Sequence, residues 1–353
     1  MIYEGINMMV NRYSKQRNCF NLIRLITALT VFYGHGKEHL QISNTCGFLD
    51  VISKWIPGVP VFFFLSGMLI WKSIDNSKDC KEYIRKRVFR IYPELWVAVI
   101  ISLISIIVLY NADIQWGLLG LFGITQATFL QFWTPNFLRG FGCGTPNGSL
   151  WTIAVTLQFY IFVWFAYKKL KGKGLGTWVA VMLLSLALGA IKNISPALLP
   201  EIADKLLSQT LVPYLWIFLL GCFASEFFNQ IILIFTEYWF VWLALSFVWT
   251  YQIPFDVRIG KYLLIKNALF FSVCLGIGYK FPKLNINPDI SYGFYIYHMI
   301  VINIMIELGL IGSMGKLGIA LTISLVCAYI STKTIGKYGV INKLFIRTNE
   351  VKT

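Results

Sequence analysis

Arg24 and His35 lie eleven residues apart inside the first long apolar run, LIRLITALTVFYGHGKEHL. A guanidinium and an imidazole are costly in hydrocarbon, so finding both in a membrane-length segment marks a buried polar site. Eleven residues are close to three helical turns, about 16 Å of rise, so the two side chains project from nearly one face of a helix. One helix would then set a fixed cation toward one membrane surface and a titratable base toward the other. An imidazole is mostly neutral at neutral pH and can take a proton from a hydroxyl. Each residue also has a plainer reading, with Arg24 snorkelling to lipid phosphate and His35 resting among the headgroups.

Four further segments hold polar groups in apolar surroundings. In KEYIRKRVFRIYPELW (81–96), Arg87 and Arg90 are three apart and share a helical face. Two planar guanidinium forks suit the oxygens of a phosphorylated ligand, although such basic clusters also serve as topology anchors on anionic lipid. Tyr92-Pro93 is expected to open the helix that follows, because proline suits a first turn. In VPVFFFLSGMLIW (59–71), Ser66-Gly67 reads as a close-packing contact between helices. In NGSLWTIAVTLQFYIF (147–162), Asn147-Gly148-Ser149 reads as a turn and helix cap. Gln158 in that segment is polar at mid-span and needs a partner, either another helix or a substrate. In ISYGFYIYHMIVI (290–302), Tyr292, Tyr295 and His298 follow i, i+3, i+6 spacing and share one broad face. His298 there is either a satisfied core histidine or part of a site.

The elements that must position these groups are membrane helices. Of 353 residues, 57% are hydrophobic and 13% charged, with mean hydropathy +0.66, outside the soluble globular range. The expected fold class is all-α, a polytopic helix bundle forming a single membrane domain over 1–353. About ten spans of membrane length are expected, near 19–36, 57–72, 93–110, 149–167, 177–192, 209–227, 231–250, 262–279, 290–311 and 317–332. A stretch near 114–133 is apolar enough to be re-entrant or interfacial. The loop 111–148 is rich in Gly, Pro, Asn and aromatic residues and is expected outside, folded back over the bundle.

The net charge of +15 is a topology signal. Lys and Arg gather in the N-terminal segment 1–18, the 72–90 and 168–173 loops, the 280–283 turn and the tail 333–353, and are sparse in the alternate loops. That bias sets both termini in the cytoplasm. No basic–aromatic recognition segment is present, so nucleic acid is not an expected partner. No small-residue cleavage site follows the first apolar run, so no removable leader is expected. Seven scattered cysteines form no CxxC motif; only Cys46 and Cys143 fall in outer loops, where a disulfide is conceivable. With three histidines and few acids in the spans, no metal site is expected.

Taken in order, the segments resemble the membrane acyltransferase family 3, which includes bacterial O-antigen and other cell-surface O-acetyltransferases. The resemblance covers essentially the whole chain. It rests on Arg24 and His35; the phenylalanine-rich run from Phe62 to Gly67; Arg87, Arg90, Tyr92 and Pro93; Leu150, Trp151, Gln158, Phe159 and Tyr160; and Ser291, Tyr292, Tyr295 and His298. Many relatives carry a glutamate shortly before the Gln-Phe-Tyr, where this chain has Thr156.

The resemblance implies a multi-pass enzyme of the bacterial inner membrane. It would move an acyl group, acetyl being the expected one, from acyl-coenzyme A to a hydroxyl of a cell-surface glycan or its lipid-linked precursor. His35 and Arg24 would be catalytic, with Arg87, Arg90 and Arg24 holding the donor. Ser66, Trp151, Gln158, Tyr292 and His298 would support substrate or structure. No tightly bound cofactor is implied; acyl-coenzyme A enters as a substrate, and membrane lipid surrounds the bundle. Transfer through an acyl-imidazole, transfer of succinyl or another acyl group, and a glycan flippase remain alternatives.

Overall fold

A computed structural model describes residues 17–43 and 46–336. Most of the expected cytoplasmic segments 1–18 and 333–353 therefore lie outside the described residues. In chain order the helices are α1 (Phe20–His39), α2 (Gly47–Trp55), α3 (Gly58–Asp75), α4 (Cys80–Leu109) and α5 (Trp116–Ala127). They continue with α6 (Trp151–Leu170), α7 (Leu175–Leu198), α8 (Glu201–Leu207), α9 (Leu215–Glu226), α10 (Phe228–Glu237) and α11 (Trp239–Gln252). A two-residue hairpin, β1 (Arg258–Ile259) and β2 (Tyr262–Leu263), precedes α12 (Leu264–Lys280), α13 (Ser291–Glu307) and α14 (Met314–Thr334). The described chain is mostly helical with almost no sheet.

A helix or bent helix pair falls on each of the ten expected segments, but length and composition support fewer crossings. Among the described residues, five stretches are long and apolar enough to cross: Gly47–Asp75, Cys80–Leu109, Gly148–Leu170, Leu175–Leu198 and Met314–Thr334. The number rises to seven if two bent pairs each count once: α8 with Val212–Glu226, bent by 48°, and α10 with α11, bent by 76°. The shortfall has a physical basis. Helices α12 and α13 have 17 residues each, about 25 Å of rise against roughly 30 Å of hydrocarbon. Helix α1 is long enough but carries Arg24, Lys37 and Glu38.

The third expected span, 93–110, starts too late. Asp79 caps α4, its carboxylate accepting from Glu82 N at 2.7 Å. The helix then runs 30 residues with Pro93 inside it rather than in its first turn. At about 45 Å it outruns a hydrocarbon core, and the surplus carries the basic residues from Lys81 to Arg90.

The chain divides into two compact units. Among the described residues the first comprises 17–27, Lys54–Lys78 and Val155–Ile286. It is organised by the close approach of α3 and α9. A Cβ on Gly67 would lie 2.0 Å from the Phe218 carbonyl oxygen, and one on Gly221 would lie 2.0 Å from that of Phe64. Only glycine lets these backbones meet, as the Ser66-Gly67 pattern suggests. Stacked rings flank the contact: Phe159 on Phe218 at 4.3 Å and Phe64 on Phe271 at 4.5 Å. Helix ends are closed by buried or half-buried acids. Glu226 accepts from Trp71 Nε1 at 2.8 Å and Gly172 N at 2.7 Å. Asp256 accepts from the first amides of α12, Ile265 N and Lys266 N, at 2.9 and 2.8 Å.

Among the described residues the second unit comprises Ala28–Ser53, Asp79–Ala154 and 287–336. The 111–148 segment is not an open loop. Helix α5 and the turns around 136–150 enclose a small core of Ile106, Leu119, Phe122, Leu138 and Phe141. Gly142 has φ +55, and a Cβ there would fall 1.9 Å from Asn303 Oδ1, so both conformation and space require glycine. The seven cysteines are all unbonded, Cys46 and Cys143 included. Burial pushes the Cys143 thiol above its ordinary pKa.

The glycine contact gives a direct test. Gly67→Ala and Gly221→Ala should each lower the thermal midpoint of the detergent-purified protein, by overpacking worth about 1–3 kcal/mol or more. Gly176→Ala, where nothing lies within 4 Å of the added carbon, should be neutral or slightly stabilising.

Candidate functional site

The candidate site is built on α13 in the second unit. Thirteen of its 17 residues are buried, so this is not a helix with one wet face. Its polar side chains must find partners within the protein. Asp289, just before the helix, accepts from Ser291 N at 3.1 Å and Ser291 Oγ at 2.5 Å. Its other oxygen pairs with Arg90 Nη2 at 3.0 Å. Tyr292 donates to the Ile91 carbonyl at 2.9 Å. Tyr295 donates to the Ser149 carbonyl at 3.3 Å and meets the Thr152 hydroxyl at 3.1 Å. Tyr297 donates to Ser331 Oγ at 3.0 Å, which in turn donates to Glu94 at 3.2 Å. Asn303 binds the 143–146 segment: its Oδ1 accepts from Cys143 N at 2.7 Å and its amide donates to Thr145 and Pro146 carbonyls. Glu307 accepts from Gly142 N at 2.5 Å.

His298 lies midway along this helix and is fully buried. Its Nε2 is 3.1 Å from Nδ1 of His35, with the rings 5.3 Å apart and tilted by 22°. Phe32, Phe294 and Tyr295 pack around His298, with ring centres 5.7 to 6.3 Å away. Half-buried His35 is fixed from its own side as well. Asp50 of α2 accepts from Tyr33 at 3.0 Å and Lys37 at 2.6 Å, clamping the end of α1 on both sides of His35. Leu317 of α14 fills the space beside Gly36. One imidazole is thus half-open and the other sealed, joined by a hydrogen bond. Such a pair can hold one ring nitrogen aimed at a substrate proton.

Several sequence-predicted residues come together here: His35, His298, Tyr292, Tyr295 and Arg90 all belong to the second unit, tied to α13 or forming part of it. Arg87, one turn before Arg90, packs its guanidinium over the Tyr83 ring at 5.6 Å. Arg24, half-buried on α1, belongs to the first unit, because the division falls after Thr27. Ser66 and Gln158 also lie in the first unit. Ser66 sits beside the α3–α9 glycine contact. Gln158 donates to the Gln209 carbonyl at 2.8 Å and accepts from Leu211 N at 2.9 Å, the interhelical bond expected of a mid-span amide. Trp151 and Thr156 are half-buried on α6. Asn147 is not the expected helix cap: its side chain donates to the Ile296 carbonyl and accepts from Ser149 Oγ, both at 2.8 Å.

Sequence reasoning missed Asp289, Glu94, Thr152 and Ser331. Glu94 was readable, being an acid inside an apolar run and now found 5% exposed. Asp289 had a weaker signal, an acid two residues before a helix-initiating serine. Thr152 and Ser331 carry no mark in a single sequence. Among the described residues, no group of three or more His, Cys, Asp or Glu side chains could hold a metal ion.

A helical membrane protein with a histidine pair, one half-open and one sealed, on its first and penultimate described helices is consistent with acyl-transfer chemistry, and sequence comparison fixes the class. The chain belongs to the family described as Acyltransferase domain, which matches residues 17–333. It is an acyltransferase transferring groups other than amino-acyl groups, and a multi-pass membrane protein. It is 28% identical to nodulation protein 10 of Rhizobium leguminosarum bv. viciae, over 85% of this chain and 86% of the relative. It is 26% identical to the O-acetyl transferase of Shigella phage Sf6, over 82% and 86% respectively. A shorter match, 29% identical over 31% of this chain and 19% of the relative, is to a peptidoglycan O-acetyltransferase of Listeria monocytogenes. No solved structure matches.

The Arg90–Asp289 pair is separable from any ligand role by a stability cycle. Arg90→Ala strands a buried carboxylate and should cost about 3 kcal/mol. Asp289→Ala combined with Arg90→Ala should recover part of that loss, read as a coupling energy from thermal unfolding in detergent.

Proposed function

We propose that the protein is a membrane O-acyltransferase that moves an acetyl group from acetyl-coenzyme A to a hydroxyl of a cell-surface glycan or its lipid-linked precursor. The observation that carries this reading is His35, half-open and held at 3.1 Å by a sealed histidine, in a chain of the acyltransferase family. The acceptor class is supported by the names of two relatives, an O-acetyl transferase and a peptidoglycan O-acetyltransferase. The inner membrane of a bacterium is the compartment this reading requires.

In the proposed reaction His35 is the general base. It takes the acceptor hydroxyl proton through Nε2 as the oxygen attacks the thioester carbonyl. The new C–O bond forms, the C–S bond breaks, and the coenzyme A thiolate leaves with the proton that His35 gives back. Arg87 and Arg90 bind donor phosphates, the fixed charge and planar fork of each suiting that duty. Arg24, on the same helix as His35, keeps its sequence-based role as a further cation.

His35→Ala should lower transfer at least about 100-fold while the protein still accumulates in the membrane; retained transfer would remove the base assignment. Arg87→Ala should raise the KM for acetyl-coenzyme A about 10-fold or more, the worth of one charge-assisted hydrogen bond. Mass spectrometry of surface polysaccharide from cells with and without the protein should differ by the mass of an acetyl group per modified sugar. A difference matching another acyl group would correct the donor, and no difference in any glycan would refute the acceptor class.

A further inference from the structure

We propose that His298 is the positioning residue that sets the tautomer of His35, accepting the proton-bearing Nδ1 of His35 so that Nε2 carries the lone pair. The inference rests on the general-base reading of His35 and goes beyond it by assigning each ring nitrogen.

Two neutral imidazoles joined nitrogen to nitrogen hold one hydrogen between them. Either His35 Nδ1–H donates to His298 Nε2, or His298 Nε2–H donates to His35 Nδ1. Only the first leaves His35 Nε2 free of hydrogen and able to act as a base, because a neutral imidazole has one N–H and one lone pair. The surroundings of the other His298 nitrogen decide between them. His298 Nδ1 is buried and has no well-formed hydrogen bond. A helical side chain leans back over the preceding turn, and for His298 the backbone acceptors of that turn are the Tyr295 and Phe294 carbonyls, three and four residues earlier in α13. Carbonyl oxygens only accept, so a lone pair turned toward them is repelled and an N–H is favoured. Nδ1 of His298 therefore carries its hydrogen, Nε2 is an acceptor, and the hydrogen between the rings belongs to His35.

The packing makes this assignment durable. His298 is sealed among Phe32, Phe294 and Tyr295, and Tyr295 is itself pinned to Ser149 and Thr152. Its ring has no room to turn over and present the other nitrogen. His35 sits between the clamp on Asp50 and this fixed acceptor. When His35 takes the acceptor proton at Nε2, the resulting imidazolium keeps its Nδ1–H on His298, a neutral acceptor that steadies the new charge. No proton needs to pass to His298, and the proton at Nε2 returns to the departing thiolate. A neutral partner serves here as an orienting group, where many sites use a carboxylate.

The test compares two amides of similar polarity. In His298→Gln the terminal amide reaches the place of the imidazole Nε2 and can present its carbonyl to His35. In His298→Asn the amide ends near the place of Nδ1 and falls short. Both variants, with His298→Leu and His35→Ala, are measured for accumulation in the membrane and for kcat and KM with acetyl-coenzyme A and acceptor. The expected result is a kcat loss of about 100-fold in the Asn and Leu variants with KM little changed, and recovery of most of that loss in the Gln variant. Wild-type kcat in His298→Leu would overturn the proposal, as would equal loss in Gln and Asn at normal accumulation, or a change confined to KM. Should His298→Asn fail to accumulate, the comparison of Gln with Leu decides in the same way. The general-base reading fails separately, by activity in His35→Ala, so its failure cannot be mistaken for that of the positioning role.

Discussion

The second unit depends on the burial of α13. A helix shut in on nearly every side, yet carrying Tyr292, Tyr295, Tyr297, His298, Asn303 and Glu307, has no water to satisfy these groups. Each unmet partner would cost about 1–3 kcal/mol. The six are answered by five neighbours: Ile91 of α4, Ser149 and Thr152 around the start of α6, Ser331 of α14, His35 of α1, and the 142–146 segment, which takes both Asn303 and Glu307. Hydrophobic contacts alone would let these elements slide against one another. The hydrogen bonds give each a single register, and the register of α1 is the one that matters for chemistry.

The first unit answers a different constraint. Its main contact, α3 on α9, is made by removing side chains rather than by pairing polar ones, so backbones approach through Gly67 and Gly221. Its acids work at helix ends, Glu226 at the 170–174 turn and Asp256 at the start of α12. Gln158 belongs to the same pattern, since its amide bonds both to a carbonyl and to an N–H of the 209–211 turn. Ser66 and Gln158 thus have sufficient structural reasons for being where they are. Polar residues in this unit order turns; in the second unit they gather along one helix.

How much of this was legible follows from which signals are local. Helix positions could be read from apolar run length, because backbone satisfaction in lipid forces helices. Helix quality could not: the 76° break between α10 and α11 interrupts a run that looks continuous, and the Asp79 cap starts α4 well before the proline that seemed to mark it. The residues of the histidine pair were readable as costly groups at helical spacing, but not their contact, since His35 and His298 are 263 positions apart. Fixed geometry between distant positions is a property of packing, and a single sequence carries no trace of it. Hence Arg90 could be singled out while its pairing with Asp289 could not.

That last pairing bears on how two arginines three residues apart divide their work. Arg90 is engaged by a carboxylate only 3% exposed, and a second buried acid, Glu94, lies one turn further along α4 in its field. Arg87, one turn earlier, lays its guanidinium over the Tyr83 ring. The Arg-x-x-Arg pattern therefore reads as two functions on one face. Arg90 fixes α4 to the start of the helix that carries His298, and in the proposed donor site it meets phosphate together with Arg87. The two functions are mechanically linked, because the same turn of α4 that would meet the donor is bolted to the helix that orients the base.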